Sequence, residues 1–299
     1  MSDSPDCGYR PVVPFATLEG LVRSGRDRGP RGWSVDSPAL APDRSTAREP
    51  TADLLRVAAV HAALIAVPVL VVGLIVLPLW LAPIVAIVVG VAVTALRCRD
   101  IDGRVRAALG ARAVEAGDVP RLTGVVDSTS MALGVAAPRV HVIVDPACNA
   151  VAWGSGNGPA SIAVTSGLLD QAERIELEGV VAHLLADVRD GMVEAPTVTT
   201  ALFGGLAGGP LSGLVASLAR AGEDVRRIVV ADMAAARATQ YPPGAVAALE
   251  RVRQGPTGVA RSPRPLQALW YAAPSEPVDG DRFAAHPPLA DRIDLLREL

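Results

Sequence analysis

Lysine is missing from this chain of 299 residues, and all 28 basic residues are arginine. With 31 acidic residues the formal net charge is −3. That balance excludes the basic excess that a nucleic-acid-binding surface needs. Aromatic residues make up 3% of the chain although half of it is hydrophobic, so any core must be aliphatic. Cysteine is scarce and odd in number: Cys7, Cys98 and Cys148, with no C-x-x-C spacing. A disulfide framework and a cysteine-built metal site are therefore not expected, and the thiols read as unpaired in a reducing compartment. No apolar stretch closely follows the N-terminus, so no signal peptide is expected. The lack of lysine beside abundant Ala, Gly, Pro and Val suggests a GC-rich bacterial genome.

A second absence is local. From Val57 to Leu96 there is no Asp, Glu, Lys or Arg, a run of 40 residues. A bilayer core is crossed by about 20 helical residues, so the run holds two spans. Its middle reads LPLWLAP, with Pro78 and Pro83 bracketing Trp80. Proline interrupts helices and tryptophan favours the membrane interface, which makes this the turn of a hairpin. Arg44, Arg48 and Arg56 precede the run and Arg97, Arg99, Arg104 and Arg106 follow it, with none between. The positive-inside rule then places both termini in the cytoplasm of a multi-pass inner-membrane protein. The expected divisions are a disordered tail rich in Pro, Ser, Asp and Arg at 1–53, a transmembrane hairpin at 54–97 and a domain at 98–299.

Within that domain the hydrophobic period alternates. Arg99–Ala116 and Val119–Leu133 read as amphipathic helices. RVHVIV (Arg139–Val144), CNAVAWG (Cys148–Gly154) and ASIAVT (Ala160–Thr165) are short, β-branched and separated by turn signals, as in a small sheet. Helical spacing returns at Ser166–Ala172 and Ile175–Arg189, then at Glu223–Ala238 and Pro243–Arg253. Gln254–Asp281 reads as a Pro/Gly-rich loop before a proline-initiated final helix. Ala195–Ala219 is a further uncharged run of 25 residues, with five glycines and two prolines. It is too short for two crossings of about 20 residues, and one crossing would separate the helices on either side of it. A helix on the membrane surface or packed against protein is the favoured reading.

The segment VAHLLADVRD (Val181–Asp190) has the frame of a zinc-peptidase helix, H-E-x-x-H, with His183 in its first position. Around it stand DPACNAVAWG (Asp145–Gly154), SIAVTSGLLD (Ser161–Asp170), IELEGVVAHLLADVRD (Ile175–Asp190) and HPPLADRIDLLREL (His286–Leu299). In this order the four stretches resemble the HtpX-like integral-membrane zinc metallopeptidases, relatives of the CAAX-processing protease. The resemblance covers nearly everything from Arg97 onward, with Ala195–Ala219 and the loop after Gln254 poorly matched. It implies an α+β fold: a transmembrane helical hairpin, then a mainly helical zincin-like peptidase domain with a small β-sheet.

The resemblance also implies where the chemistry would sit. In an active member two histidines at i and i+4 bind zinc, and a glutamate beside the first activates water. Here Leu184 occupies the general-base position and Asp187 that of the second histidine. The family's third ligand, a glutamate four residues before the Asp of an Ala-Asp pair, falls on Ile228, the pair being Ala231-Asp232. No catalytic residue and no resident cofactor are expected, which describes a pseudopeptidase. The alternative is an active endopeptidase holding zinc through His183, Asp187 and Asp232. The strand Asn149, Ala150, Val151, Ala152 and Trp153 borders the cleft in the family and is the expected peptide-binding edge, since pairing with an extended chain needs main-chain groups alone. The expected partners are the lipid bilayer and either extended polypeptides or an active peptidase.

Overall fold

The computed structural model describes residues 50–115, 117–156, 158–207, 209–219, 226–275 and 286–299. The expected disordered tail lies outside them except at residues 50–53, which already belong to a helix. Helix α1 (Pro50–Val76) opens on a proline, which suits a first turn, and carries Pro68 internally. Helix α2 (Leu81–Cys98) returns beside it. Both are long and apolar enough to cross a membrane, and 11% and 22% of their apolar windows are buried, so neither is a core helix of the domain. Gly90 sets their close approach, because a Cβ there would lie 2.6 Å from the Ala62 carbonyl oxygen. Across the pair, His61 Nδ1 and Thr94 Oγ1 lie 2.8 Å apart.

Short α3 (Ile101–Leu109) follows, started by the Asp100 carboxylate on the Gly103 amide at 3.0 Å and stopped by Gly110 at φ 67°. Here expectation and structure differ: the helix anticipated to Ala116 ends seven residues earlier, and Arg112–Ala113 form strand β1. Helix α4 (Pro120–Leu133) precedes β2 (Arg139–Ile143), β3 (Ala150–Trp153) and β4 (Ser161–Thr165). The sheet order is β1-β2-β4-β3, with β2 and β4 parallel and the outer pairings antiparallel. β3 is thus an edge strand.

Helix α5 (Ser166–Gln171) leads to α6 (Arg174–Arg189), which carries the VAHLLADVRD segment. A reciprocal cap between Glu173 and Glu176 starts α6, and Arg251 meets Glu176 at 3.0 Å. From Val180 to Asp187 every side chain is buried, as befits a helix enclosed on all sides. Gly179 lets it approach α10 (Pro242–Gln254): a Cβ there would stand 3.1 Å from the Gly244 carbonyl oxygen.

The uncharged run folds as α7 (Glu194–Phe203), a 3₁₀ turn at Gly204–Leu206, and α8 (Ser212–Ala219). Ala195–Phe203 are all buried, and α7 packs against α1, α2 and α3. Helices α9 (Arg226–Thr239) and α10 follow, and α11 (Leu289–Arg297) ends the described chain. The expected loop after Gln254 is more ordered than its composition suggests. Arg264–Leu269 form a 3₁₀ helix, and Pro265–Ala272 are buried beside β3.

Candidate functional site

His183 projects from the middle of buried α6, and Asp232 projects from α9. The His183 Nδ1–H donates to Asp232 Oδ1 at 2.7 Å, both groups being about 3% exposed. Arg292, from the final helix, donates through Nε to Asp232 Oδ2 and through Nη2 to Oδ1, each at 2.7 Å. Its Nη1 donates to the Tyr271 carbonyl at 2.6 Å, and its guanidinium lies 4.9 Å from the Tyr271 ring centre. The Tyr271 ring meets the His183 imidazole edge to face, with centroids 5.0 Å apart. Three elements remote in sequence are thereby tied through one carboxylate.

The electrostatics follow from that enclosure. Burial alone would raise the Asp232 carboxyl, but the facing Arg292 and then His183 outweigh it and hold it at about 2. Burial would likewise lower Arg292, yet Asp232 against it leaves it above its ordinary value. The Tyr271 phenol is pushed well up by burial. With Asp232 ionised, the proton shared with His183 sits on Nδ1, because a carboxylate can only accept.

The other anticipated ligand stands apart from this group. Asp187 Oδ2 lies 4.0 Å from Arg227 Nη2, at a buried position on α6. Arg227 also donates to the Ala268 carbonyl. Leu184 is fully buried in the hydrophobic core, and Ile228 is 2% exposed. Among the described residues no three His, Cys, Asp or Glu side chains come together as a metal would require. Of the anticipated set, His183 and Asp232 meet, and Asp187 faces a guanidinium. Zinc, which the resemblance implies, does not fit these donors. Both Asp232 oxygens already accept bonds, a cation stands beside Asp187, and the remaining positions are aliphatic.

The expected peptide-binding edge, Asn149 to Trp153, lies against a later part of the chain. The chain covers it with its own backbone. Val151 bridges Trp270 in antiparallel fashion, and the Tyr271 amide donates to the Ala150 carbonyl at 2.8 Å. Asn149 spends its side chain on the same segment: Nδ2 donates to the Thr257 and Ala272 carbonyls at 3.0 Å, and Oδ1 accepts from the Ala272 amide at 3.1 Å. Ala152 and Trp153 are buried as well. The covering strap is pinned by its carbonyls: Ala268 by Arg227, Trp270 by His286 Nε2 at 2.7 Å, Tyr271 by Arg292. Burial lowers His286 to about 3, so its imidazole is neutral and donates one N–H.

Arg292, Arg227 and Tyr271 were not among the residues singled out from sequence. Arg292 did carry a signal. It sits between Leu289 and Leu296 on the apolar stripe of the last helix, where a cation is out of place unless paired.

With this geometry in hand, comparison with known proteins is direct. The pattern of peptidase family M48 matches residues 118–299. The protease HtpX homolog of Dictyoglomus thermophilum is 30% identical over 210 residues, covering 60% of this chain and 69% of that protein. The homolog of Tropheryma whipplei strain Twist is 31% identical, covering 64% and 76%. That of Streptococcus uberis is 28% identical, covering 63% and 76%. No solved structure matches the chain.

Proposed function

Because the chain belongs to peptidase family M48, the open matter is what its cleft does, and we propose that it is a membrane-anchored, non-catalytic homologue of the HtpX proteases. One observation carries the reading. The carboxylate of Asp232 is claimed by Arg292 and His183, so an internal ion pair joins α6, α9 and α11 where a peptidase of this family would hold metal. Leu184 and Ile228 at the general-base and third-ligand positions support it, since neither side chain can move a proton or donate a lone pair. With β3 covered by the strap, capture of an extended polypeptide at that edge is not favoured, and regulation of a partner peptidase is. The hairpin and its flanking arginines support a place in the bacterial cytoplasmic membrane, with both termini and the domain inside the cell.

Metal analysis of the purified full chain tests this. The expected result is no stoichiometric zinc, thermal stability unchanged by a chelator, and no cleavage of unfolded membrane-protein substrates. Zinc at one per chain that disappears in His183→Ala would overturn the reading in favour of an active endopeptidase with unusual ligands. Regulation is tested by co-reconstitution with an active family member, whose cleavage rate should change when this chain is added. A reporter fused after Leu299 should be cytoplasmic.

A further inference from the structure

The uncharged run Ala195–Ala219 takes no part in the site, yet it is built against the hairpin. α7 begins beside the sheet, where Thr197 Oγ1 accepts from the Gly154 amide at 3.1 Å. It ends at Phe203, whose ring meets that of His61 in α1 edge to face, centroids 5.2 Å apart. That contact gives Phe203 a depth, on the reading that the hairpin crosses the bilayer. Arg56 before the first span and Arg97 and Arg99 after the second are exposed and mark the cytoplasmic boundary. A helix rises about 1.5 Å per residue. His61 lies five residues beyond Arg56, about 7 Å in, and its partner Thr94 lies three residues short of Arg97, about 5 Å in. Counted along either helix, the Phe203 ring lies beneath the charged boundary.

The chain beyond Phe203 is made for that environment. Gly204, Gly205, Leu206, Pro210, Leu214 and Ser217 form its exposed rim, and all but Ser217 are apolar at the side chain. Hydrocarbon demands that backbone groups be satisfied within the segment. The Gly204 amide donates to Thr200, Gly209 to Leu206 at 3.1 Å, Ser212 to Gly209 at 2.9 Å and Val215 to Leu211 at 2.9 Å. The exposed Ser217 hydroxyl donates to the Leu214 carbonyl at 2.8 Å, which leaves it partnered within the segment.

We propose that this rim is a shallow membrane foot: α7 descends into the cytoplasmic leaflet beside the hairpin, turns at Gly204–Leu206, and α8 climbs out on the same side. The occupant of the rim is lipid acyl chain. A ten-residue α7 spans about 15 Å and an eight-residue α8 about 12 Å, enough to enter one leaflet and too little to cross both. Such a foot leaves α6 and α9 on the same side of the membrane, which their packing against each other requires. It also fixes the strap near the lipid, because Arg264–Leu269 pack against both α7 and α8.

The test uses the full chain in liposomes with Cys7, Cys98 and Cys148 replaced by serine. Single cysteines at Leu206, Leu214, Leu96, Ile87 and Met131 carry an environment-sensitive fluorophore, and lipids bear a nitroxide at a shallow acyl position. All five positions are exposed, so labelling spares the core. The fluorophores at Leu206 and Leu214 should be quenched as strongly as that at Leu96, near the boundary of α2, and several-fold more than that at Met131 on α4. Quenching at Leu206 and Leu214 no greater than at Met131, with Ile87 quenched, overturns the foot and leaves the hairpin standing. Ile87 behaving like Met131 overturns the hairpin reading and the foot with it.

Discussion

Replacing Arg292 by leucine tests whether the buried carboxylate of Asp232 is held in place by charge. The substitution keeps much of the apolar volume of a fully buried side chain but removes both bonds to Asp232 and the bond to the Tyr271 carbonyl. Breaking a buried ion pair by deleting one partner costs about 3–5 kcal/mol, because the other charge stays buried without its counter-ion. The stranded Tyr271 carbonyl adds about 1–3 kcal/mol if nothing replaces the donor. These costs overlap, since relaxation around Asp232 also moves Tyr271, and about 4 kcal/mol is the expected net loss. For a domain of this size that lowers Tm by roughly 8–16 °C. The variant Asp232→Leu with Arg292→Met should recover a large part of the loss, because apolar residues can replace a buried pair at little cost.

The same pair sets an acid limb. The Asp232 carboxyl is held at about 2, against 3.8 when unperturbed. A depressed carboxylate stabilises fully above the unfolded value and loses that contribution as pH falls through the folded one. The pair therefore contributes on the order of 2 kcal/mol at neutral pH, lost between about pH 4 and pH 2. Protonation costs less than deletion because it leaves the hydrogen bonds partly in place. Thermal and denaturant unfolding of the purified chain in detergent measure both effects. A loss under about 1 kcal/mol for Arg292→Leu, the size of a surface ion pair, would refute the reasoning, as would a double variant no more stable than the single one.

Three further outcomes are expected. Asn149→Ala removes the side chain that joins β3 to the strap through Thr257 and Ala272; it should cost about 2–4 kcal/mol and speed proteolysis after residue 255. Gly167→Ala places a Cβ 2.1 Å from the Pro146 carbonyl oxygen, so it should lower expression and Tm, whereas alanine at Gly124, where a Cβ meets nothing within 4 Å, should be neutral or mildly stabilising. His286 is kept neutral by burial, with its folded value near 3 and an ordinary value of 6.5; the unfolded chain binds the extra proton between these, so stability should fall as pH drops from 6.5 toward 3, by at most about 1.4 kcal/mol per pH unit, and His286→Asn should flatten that slope.

The elements with a strong local signal were legible in the sequence. The two long apolar helices announced themselves by length and lack of charge, and the strands by β-branching between turn residues; the expected Arg139–Val144 and Ala160–Thr165 differ from β2 and β4 by one residue at an end. Strand β1 was not legible, because two exposed residues carry no periodicity and pair with β2 through tertiary placement. The strap was misread because its Pro and Gly content resembles a loop, while its burial comes from arginines and a histidine that hold its carbonyls. At the site, His183 and Asp232 were found by motif frame. Their true relation was hidden, because the decisive partner Arg292 lies 60 residues from Asp232 and no local pattern links them. Asp187 shows the same limit: spacing placed it on the face of His183, but Arg227 decides what it meets.

That separation also bears on how the chain matures as it is made. Synthesis runs from the N-terminus and domains close as units, so the hairpin emerges long before α11. Until then Asp232 lacks the guanidinium of Arg292, and its bond to His183 alone ties α9 to α6 through that carboxylate. The three-way tie through Asp232 is completed only once α11 has been made, long after α1 and α2 have left the ribosome. The order of assembly thus depends on the position of a single arginine, and a chain stalled before residue 292 would carry both apolar helices but lack the cation that holds Asp232, leaving the domain more open to protease.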